Sequence, residues 1–162
     1  MTKIHEYFIS ERNESIAFVI FAVCGIFFSF YFWIIVNTPF YNGIGWALIA
    51  LAFFQLFQGV NKFFKTKNIE KKVMSFLKSS KKSIKNIEVP RVKKKSGVFK
   101  YFRYAETTLM ILSLIFYFVS SDGFWKGLCV GMIIECSILY IANYIAEYRN
   151  IEYLKFLKKH YS

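Results

Sequence analysis

Four long apolar runs constrain the fold of this chain more than any other feature. They cover residues 16–36, 40–60, 104–121 and 124–146. The run 16–36 would rise by roughly 31 Å as an α-helix, about the thickness of the hydrocarbon core of a bilayer. Hydrophobic residues make up 56% of the chain, against about 45–50% in soluble domains. The sequence therefore predicts an all-α integral membrane protein with four transmembrane helices.

Short polar links join these runs in pairs. The link at 37–39 reads Asn-Thr-Pro, and the link at 121–123 reads Ser-Asp-Gly. Links of this length and composition favour tight turns between antiparallel helices, so we expect two helical hairpins. The first run starts only at Ile16, and no small-residue cleavage site follows it. We interpret it as a retained span rather than a cleaved signal.

The placement of Lys and Arg predicts the orientation. Residues 61–103 hold 15 Lys or Arg against two acids, whereas the link 37–39 holds no charge. Loops rich in Lys and Arg remain in the cytoplasm. The many Lys, Phe, Ile and Asn residues are typical of AT-rich bacterial genomes. We therefore expect a bacterial inner-membrane protein with cytoplasmic termini, a cytoplasmic basic loop at 61–103, and a fourth helix extended into the cytoplasm over 147–162.

Residues 68–89 of the basic loop have an amphipathic pattern. Apolar residues recur on one face at helical spacing and lysines fill the rest, with Pro90 expected to end the helix. We expect this helix to lie on the anionic phospholipids of the inner leaflet; docking of an acidic protein is the alternative. Nucleic acid fits less well, because a nearby membrane explains the interleaved aromatic residues equally well. The basic surface comprises Lys71, Lys72, Lys78, Lys81, Lys82, Lys85, Arg91, Lys93, Lys94 and Lys95.

Small residues on the second and fourth spans predict where helices pack. Lipid is as apolar as leucine, so close backbone approach and buried hydrogen bonds must hold the spans together. The packing residues are Gly45, Ala52 and Gly59 on the second span and Gly127, Gly131 and Ala142 on the fourth. We expect these two faces to meet, within one chain or between subunits. The first span is bulky and aromatic, which favours lipid contact.

Glu135 lies near the middle of the fourth span with no Lys or Arg within one turn. An ionised carboxylate at that depth costs a few kcal/mol, so we expect a protonated side chain that donates a hydrogen bond to Gln55 or Gln58. It would then join two helices; the alternative is an ion or proton site, or a ring lining a pore. Glu106, close to Lys100 and Arg103, is expected to be an interfacial acid.

The sequence contains no recognisable catalytic set. Phosphate-binding glycine loops, nucleophile elbows and metal-ligand spacings are all missing from it, so we predict no enzyme activity, cofactor or metal. The pattern favours a non-enzymatic interaction protein, an immunity or accessory factor, that binds a membrane-associated partner through its spans and basic loop. The alternative is an oligomeric pore or ion-conducting protein with Glu135 in the pathway. Anionic phospholipids and a protein partner or homo-oligomer are the expected partners.

Overall fold

The computed structural model describes residues 2–79 and 84–161, and these are helical except at short turns. Helix α1 covers Thr2–Tyr31 and continues as a π-helical turn over Phe32–Val36. Helix α2 covers Pro39–Ser79, α3 covers Val89–Val119 after a π-helical turn at Ile84–Glu88, and α4 covers Gly123–Tyr161. All four helices are long and apolar enough to cross a membrane, with mean hydropathies of 2.5, 1.6, 1.3 and 1.8 in chain order.

The two predicted links are turns whose residues explain their geometry. Asn37 ends the first helix in the left-handed conformation (φ 41°), and its N–H donates to the Phe32 carbonyl at 2.8 Å. Asparagine tolerates that conformation better than most residues, and Pro39 then fits the first turn of α2, where no N–H is needed. At the second link, the Phe124 N–H donates to Asp122 Oδ1 at 2.9 Å, as in a helix N-cap.

Helices α2 and α4 form the centre of the bundle. They pack along each other, with α1 along α2 and α3 along α4. The crossing of α2 and α4 depends on glycine: a Cβ at Gly43 would lie 2.7 Å from the Leu128 nitrogen, and one at Gly131 would lie 2.7 Å from Ala47 Cβ. A Cβ at Gly127 would overlap the Phe40 carbonyl. Only residues without a side chain allow the two backbones to come this close.

The predicted small-residue face of α2 is divided between two neighbours. Gly127 and Gly131 do contact α2, but Gly45 and Gly59 contact α1 instead: a Cβ at Gly45 would lie 3.3 Å from the Ser29 carbonyl oxygen, and one at Gly59 would lie 3.0 Å from that of Ser15. Ala52 likewise lies against Gly25 of α1. Ala142 is half-buried beside α1. The expectation that the two stripes meet was therefore wrong for these α2 residues, because α2 lies between α1 and α4 and uses glycine on both sides.

The basic region does not form a separate helix over 68–89. Helix α2 runs without a break to Ser79. Pro90 does not end a helix as expected, because it lies in the first turn of α3. Proline is well tolerated there, since the first helical N–H groups have no intrahelical acceptor. Val73 and Ile84 of the predicted amphipathic face are buried against the other helices, and Ile69 and Phe76 are partly buried beside them, whereas Ile87 is exposed. That buried cluster consists of Ile4, Tyr7, Phe8, Val73, Ile84, Val92, Tyr153 and Leu157.

The helix segments 2–15, 61–79, 84–103 and 147–161 therefore form a second packed region, which we term the charged end. It extends the bundle beyond the four apolar runs and contains most of the charged residues. Its core is made of side chains from all four helices. A packed core of this kind stabilises the charged end without requiring a lipid surface to cover its apolar residues.

Candidate functional site

Glu135 is joined to Gln55 in the middle of the apolar region. Gln55 Nε2 donates to Glu135 Oε2 at 2.6 Å, and the two residues are only 2% and 6% exposed. The expected pairing with Gln55 is thus present, but the donor is the Gln55 amide and not Glu135. A Cβ at Gly25 would lie 3.7 Å from Glu135 Oε1, so α1 also packs against this pair. Gln58 is half-buried on the next turn of α2 and is not bonded to Glu135. The hydrogen bond connects the two central helices and offsets part of the cost of burying both polar side chains.

A second polar bridge joins α3 to α4 nearer the charged end. Asn143 Nδ2 donates to Glu106 Oε1, and Glu106 is buried. The carboxylate is therefore bonded to an amide across the helix interface and is not simply a solvated interfacial acid as expected. Its predicted neighbour Arg103 is paired with Glu147 at 2.7 Å instead. Two bridges of this kind hold α4 to both α2 and α3.

A small cavity of about 20 Å³ lies between these two bridges. Gln55, Gln58, Glu106 and Asn143 contribute its polar lining. Among the described residues, Gln55 Oε1 and Glu106 Oε2 are buried and have no hydrogen-bond partner. A polar cavity of this size is large enough for about one water molecule. The site can therefore hold a small polar species but not an organic substrate.

Ion pairs between helices cross-link the charged end. Glu14 of α1 contacts both Lys62 of α2 and Arg149 of α4, and Glu11 of α1 contacts Lys95 of α3. These acids come from outside the basic loop. The sequence contained a clue to them, because Glu11 and Glu14 stand one turn apart at the entry to the first apolar run. Their partners could not be assigned without the structure.

The Glu11–Lys95 pair is largely shielded from water, with side-chain exposures of 6% and 21%. Burial raises the pKa of Glu11, but the charge and hydrogen bond of Lys95 outweigh it and hold that pKa below its usual value. Burial also lowers the pKa of Lys95 to about 8, despite the opposing attraction of Glu11. Both groups are charged at neutral pH, so the pair acts as a buried ionic link between α1 and α3.

Two stacked tyrosines lie beside this pair. The rings of Tyr7 and Tyr153 are 3.9 Å apart, and their hydroxyls donate to Asn150 Oδ1 at 2.9 Å and Glu88 Oε1 at 3.2 Å. Burial raises the pKa of both phenols. Both tyrosines therefore remain neutral hydrogen-bond donors, which suits a structural role and not that of a general base.

The described members of the predicted basic surface separate into two groups. Arg91 and Lys95 turn inward to Glu88 and Glu11, because a buried carboxylate needs a cationic partner; they do not belong to a free basic surface. The side chains of Lys78, Lys81 and Lys82 lie outside the described residues. The remaining members are exposed and form no ion pair with any described acid: Lys71, Lys72, Lys85, Lys93 and Lys94.

We expect Glu135→Leu to destabilise the protein by about 1 kcal/mol. The substitution removes the acceptor of the Gln55 amide and leaves that amide buried without a partner. Glu135→Gln retains an oxygen that can accept the same bond and should be closer to wild type. Thermal unfolding in detergent measures both, with the exposed neighbour change Ile134→Leu as control. A leucine variant at least as stable as wild type would show that the bond contributes nothing.

No protein-family model, no curated protein and no solved structure shows significant similarity to this chain.

Proposed function

We propose that this chain is a non-enzymatic inner-membrane protein of a bacterium that binds a membrane-associated protein partner, as an immunity or accessory factor does. Its four helices would cross the bilayer as two hairpins, with both termini and the charged end in the cytoplasm. The distribution of Lys and Arg supports this orientation. Large apolar side chains exposed on the outside of the bundle support insertion: Ile34 is 75% exposed and Phe118 77%. Lipid would remove these side chains from water.

The observation that carries the binding proposal is the separation of charges at the charged end. Its acids are mostly drawn into buried pairs between helices, such as Glu11 with Lys95 and Glu147 with Arg103. Four lysines remain exposed and form no ion pair with a described acid, namely Lys71, Lys72, Lys85 and Lys93. The folded protein therefore presents cationic groups on a preformed helical scaffold. Such a surface complements a partner with acidic groups and accelerates its association.

The placement of Glu135 favours this function over that of a pore. A residue lining an oligomeric channel must face the axis shared by the subunits. Glu135 is instead closed off by Gln55 and by the backbone near Gly25 within a single chain. Ion conduction through the spans also leaves the exposed lysines of the charged end unexplained. An interaction protein thus accounts for more of the structure.

Photo-crosslinking in intact bacterial membranes tests the binding proposal. A crosslinker at Asn86, which is exposed between the lysines of interest, should capture a discrete protein. That adduct should disappear when Lys71, Lys72, Lys85 and Lys93 are all changed to glutamine. The matched control changes four exposed lysines elsewhere to glutamine, namely Lys3, Lys155, Lys158 and Lys159. A wild-type protein without any specific adduct, or equal loss in both variants, contradicts the proposal.

Labelling of introduced cysteines tests the topology. With the native cysteines replaced, a cysteine at Lys85 should react with a membrane-impermeant maleimide only after the inner membrane is opened. A cysteine at Thr38, in the exposed link between α1 and α2, should react from the periplasmic side. The reverse pattern would invert the proposed orientation, and equal labelling with protein recovered in the soluble fraction would exclude membrane insertion.

A further inference from the structure

A groove separates α2 from α3 where the charged end meets the apolar runs. Its volume is about 550 Å³, and it opens to the outside of the bundle. Its polar wall includes Lys62, Lys65 and Lys94, and its apolar wall includes Phe57, Phe99 and Phe102. The groove exists because α2 and α3 both pack on α4 rather than closely on each other.

Among the described residues, five cationic side chains line the groove, and three of them are neutralised. Lys62 contacts Glu14, Arg91 contacts Glu88 at 2.6 Å, and Lys95 contacts Glu11. Lys65 and Lys94 are exposed and have no ion pair with a described acid. Among the described residues, the polar wall of the groove therefore has two uncompensated positive charges, one from each helix. An anion placed between them would gain from both.

The groove begins at the edge of the apolar runs, at the depth of the headgroup region of a bilayer, and continues outward from it. Phe57 lies within the second apolar run, which ends at residue 60, and Phe102 lies just before the third, which begins at residue 104. At about 1.5 Å per residue, Lys65 stands roughly 8 Å beyond the end of its run, and Lys94 stands roughly 15 Å before the start of its own. The polar headgroup layer is about 5–7 Å thick on each side of the hydrocarbon. Lysine side chains near a membrane extend back toward it, so Lys65 reaches into this layer and Lys94 faces it from the cytoplasmic side.

We propose that this groove binds one anionic phospholipid, with its phosphate between Lys65 and Lys94 and an acyl chain against the aromatic wall. The inference rests on the membrane insertion proposed above, but not on the protein partner. An acidic peptide would match the lysines and would leave Phe57 and Phe102 facing lipid. A phospholipid matches both walls at once. The bound lipid would also fill the space between α2 and α3 and link the two halves of the bundle.

Native mass spectrometry of the full chain in detergent tests the proposal. Wild type should retain one molecule of phosphatidylglycerol in preference to phosphatidylcholine at equal concentration. The double variant Lys65→Gln/Lys94→Gln should bind phosphatidylglycerol about 30-fold more weakly, since each lysine near an anionic lipid contributes about one factor of five. The matched control, Lys67→Gln/Lys100→Gln, removes one exposed lysine from each of the same two helices outside the groove, and it should bind like wild type.

Three outcomes would overturn the proposal. Equal retention of both lipids would show that the groove does not select a lipid by its charge. Equally weakened binding of phosphatidylglycerol in both double variants would show that the lipid binds to a diffuse basic surface. Displacement of the lipid by glycerol phosphate at the same concentration would show that the acyl chain adds nothing. None of these three results changes the outcome of the cysteine labelling. A protein that does not enter the membrane would instead be detected by that labelling experiment.

Discussion

Gly127→Ala is expected to lower the free energy of unfolding by about 3 kcal/mol, because the added methyl group has no space. A Cβ at Gly127 would overlap the Phe40 carbonyl oxygen and lie 2.7 Å from the Phe40 carbonyl carbon. These are backbone atoms, so no side chain can rotate away. Helices α2 and α4 would have to separate at their crossing, which would also disturb the nearby contact of Gly131 with Ala47. Thermal or denaturant unfolding in detergent measures the change.

Gly97→Ala provides the matched control for this substitution. Gly97 is exposed within α3, and a Cβ there would have no atom within 4 Å. Alanine is a better helix former than glycine, so this variant should be more stable by about 0.5–1 kcal/mol. The same substitution of glycine by alanine is thus expected to lower the stability at Gly127 and to raise it at Gly97. Equal effects at Gly127 and Gly97 would show that α2 and α4 do not cross as closely as described.

Lys95→Met is expected to destabilise the protein by about 3 kcal/mol, since it leaves the Glu11 carboxylate buried without its cation. Adding Glu11→Gln to this variant removes the unpaired charge and should recover more than half of the loss. This non-additivity distinguishes a coupled pair from two independent contacts. Free energies of unfolding for wild type, both single variants and the double variant measure it.

Lys93→Met is the control for the effect of removing a lysine from α3. Lys93 is exposed and forms no ion pair with a described acid, so its loss should change stability by less than about 0.5 kcal/mol. If Lys95→Met is no worse than Lys93→Met, the pair with Glu11 does not stabilise the charged end. If the double variant is as unstable as the sum of the single variants, the two residues are not coupled.

The sequence by itself predicted the four long apolar helices and the two short turns, one between the first two helices and one between the last two. Length and hydropathy were sufficient, since a bilayer-spanning helix depends on residues that are consecutive in the chain. The turns were equally local: Asn37 supplies a left-handed residue, and Asp122 supplies a cap for the helix that follows. It also marked Gln55 and Glu135 as groups that need a partner, because a polar side chain in an apolar run is conspicuous without any knowledge of its neighbours.

Only the tertiary structure decided which surfaces meet. Helical periodicity shows that Gly45 and Gly59 share a face but not that α1 is the helix against that face. It also shows an amphipathic pattern over 68–89 but not whether lipid or protein covers its apolar side. Glu11 and Lys95 are 84 residues apart in the chain, so their pairing depends on the arrangement of all four helices. Local sequence determines the helices and their polar exceptions, and the packing of distant segments determines which charges remain available for a partner.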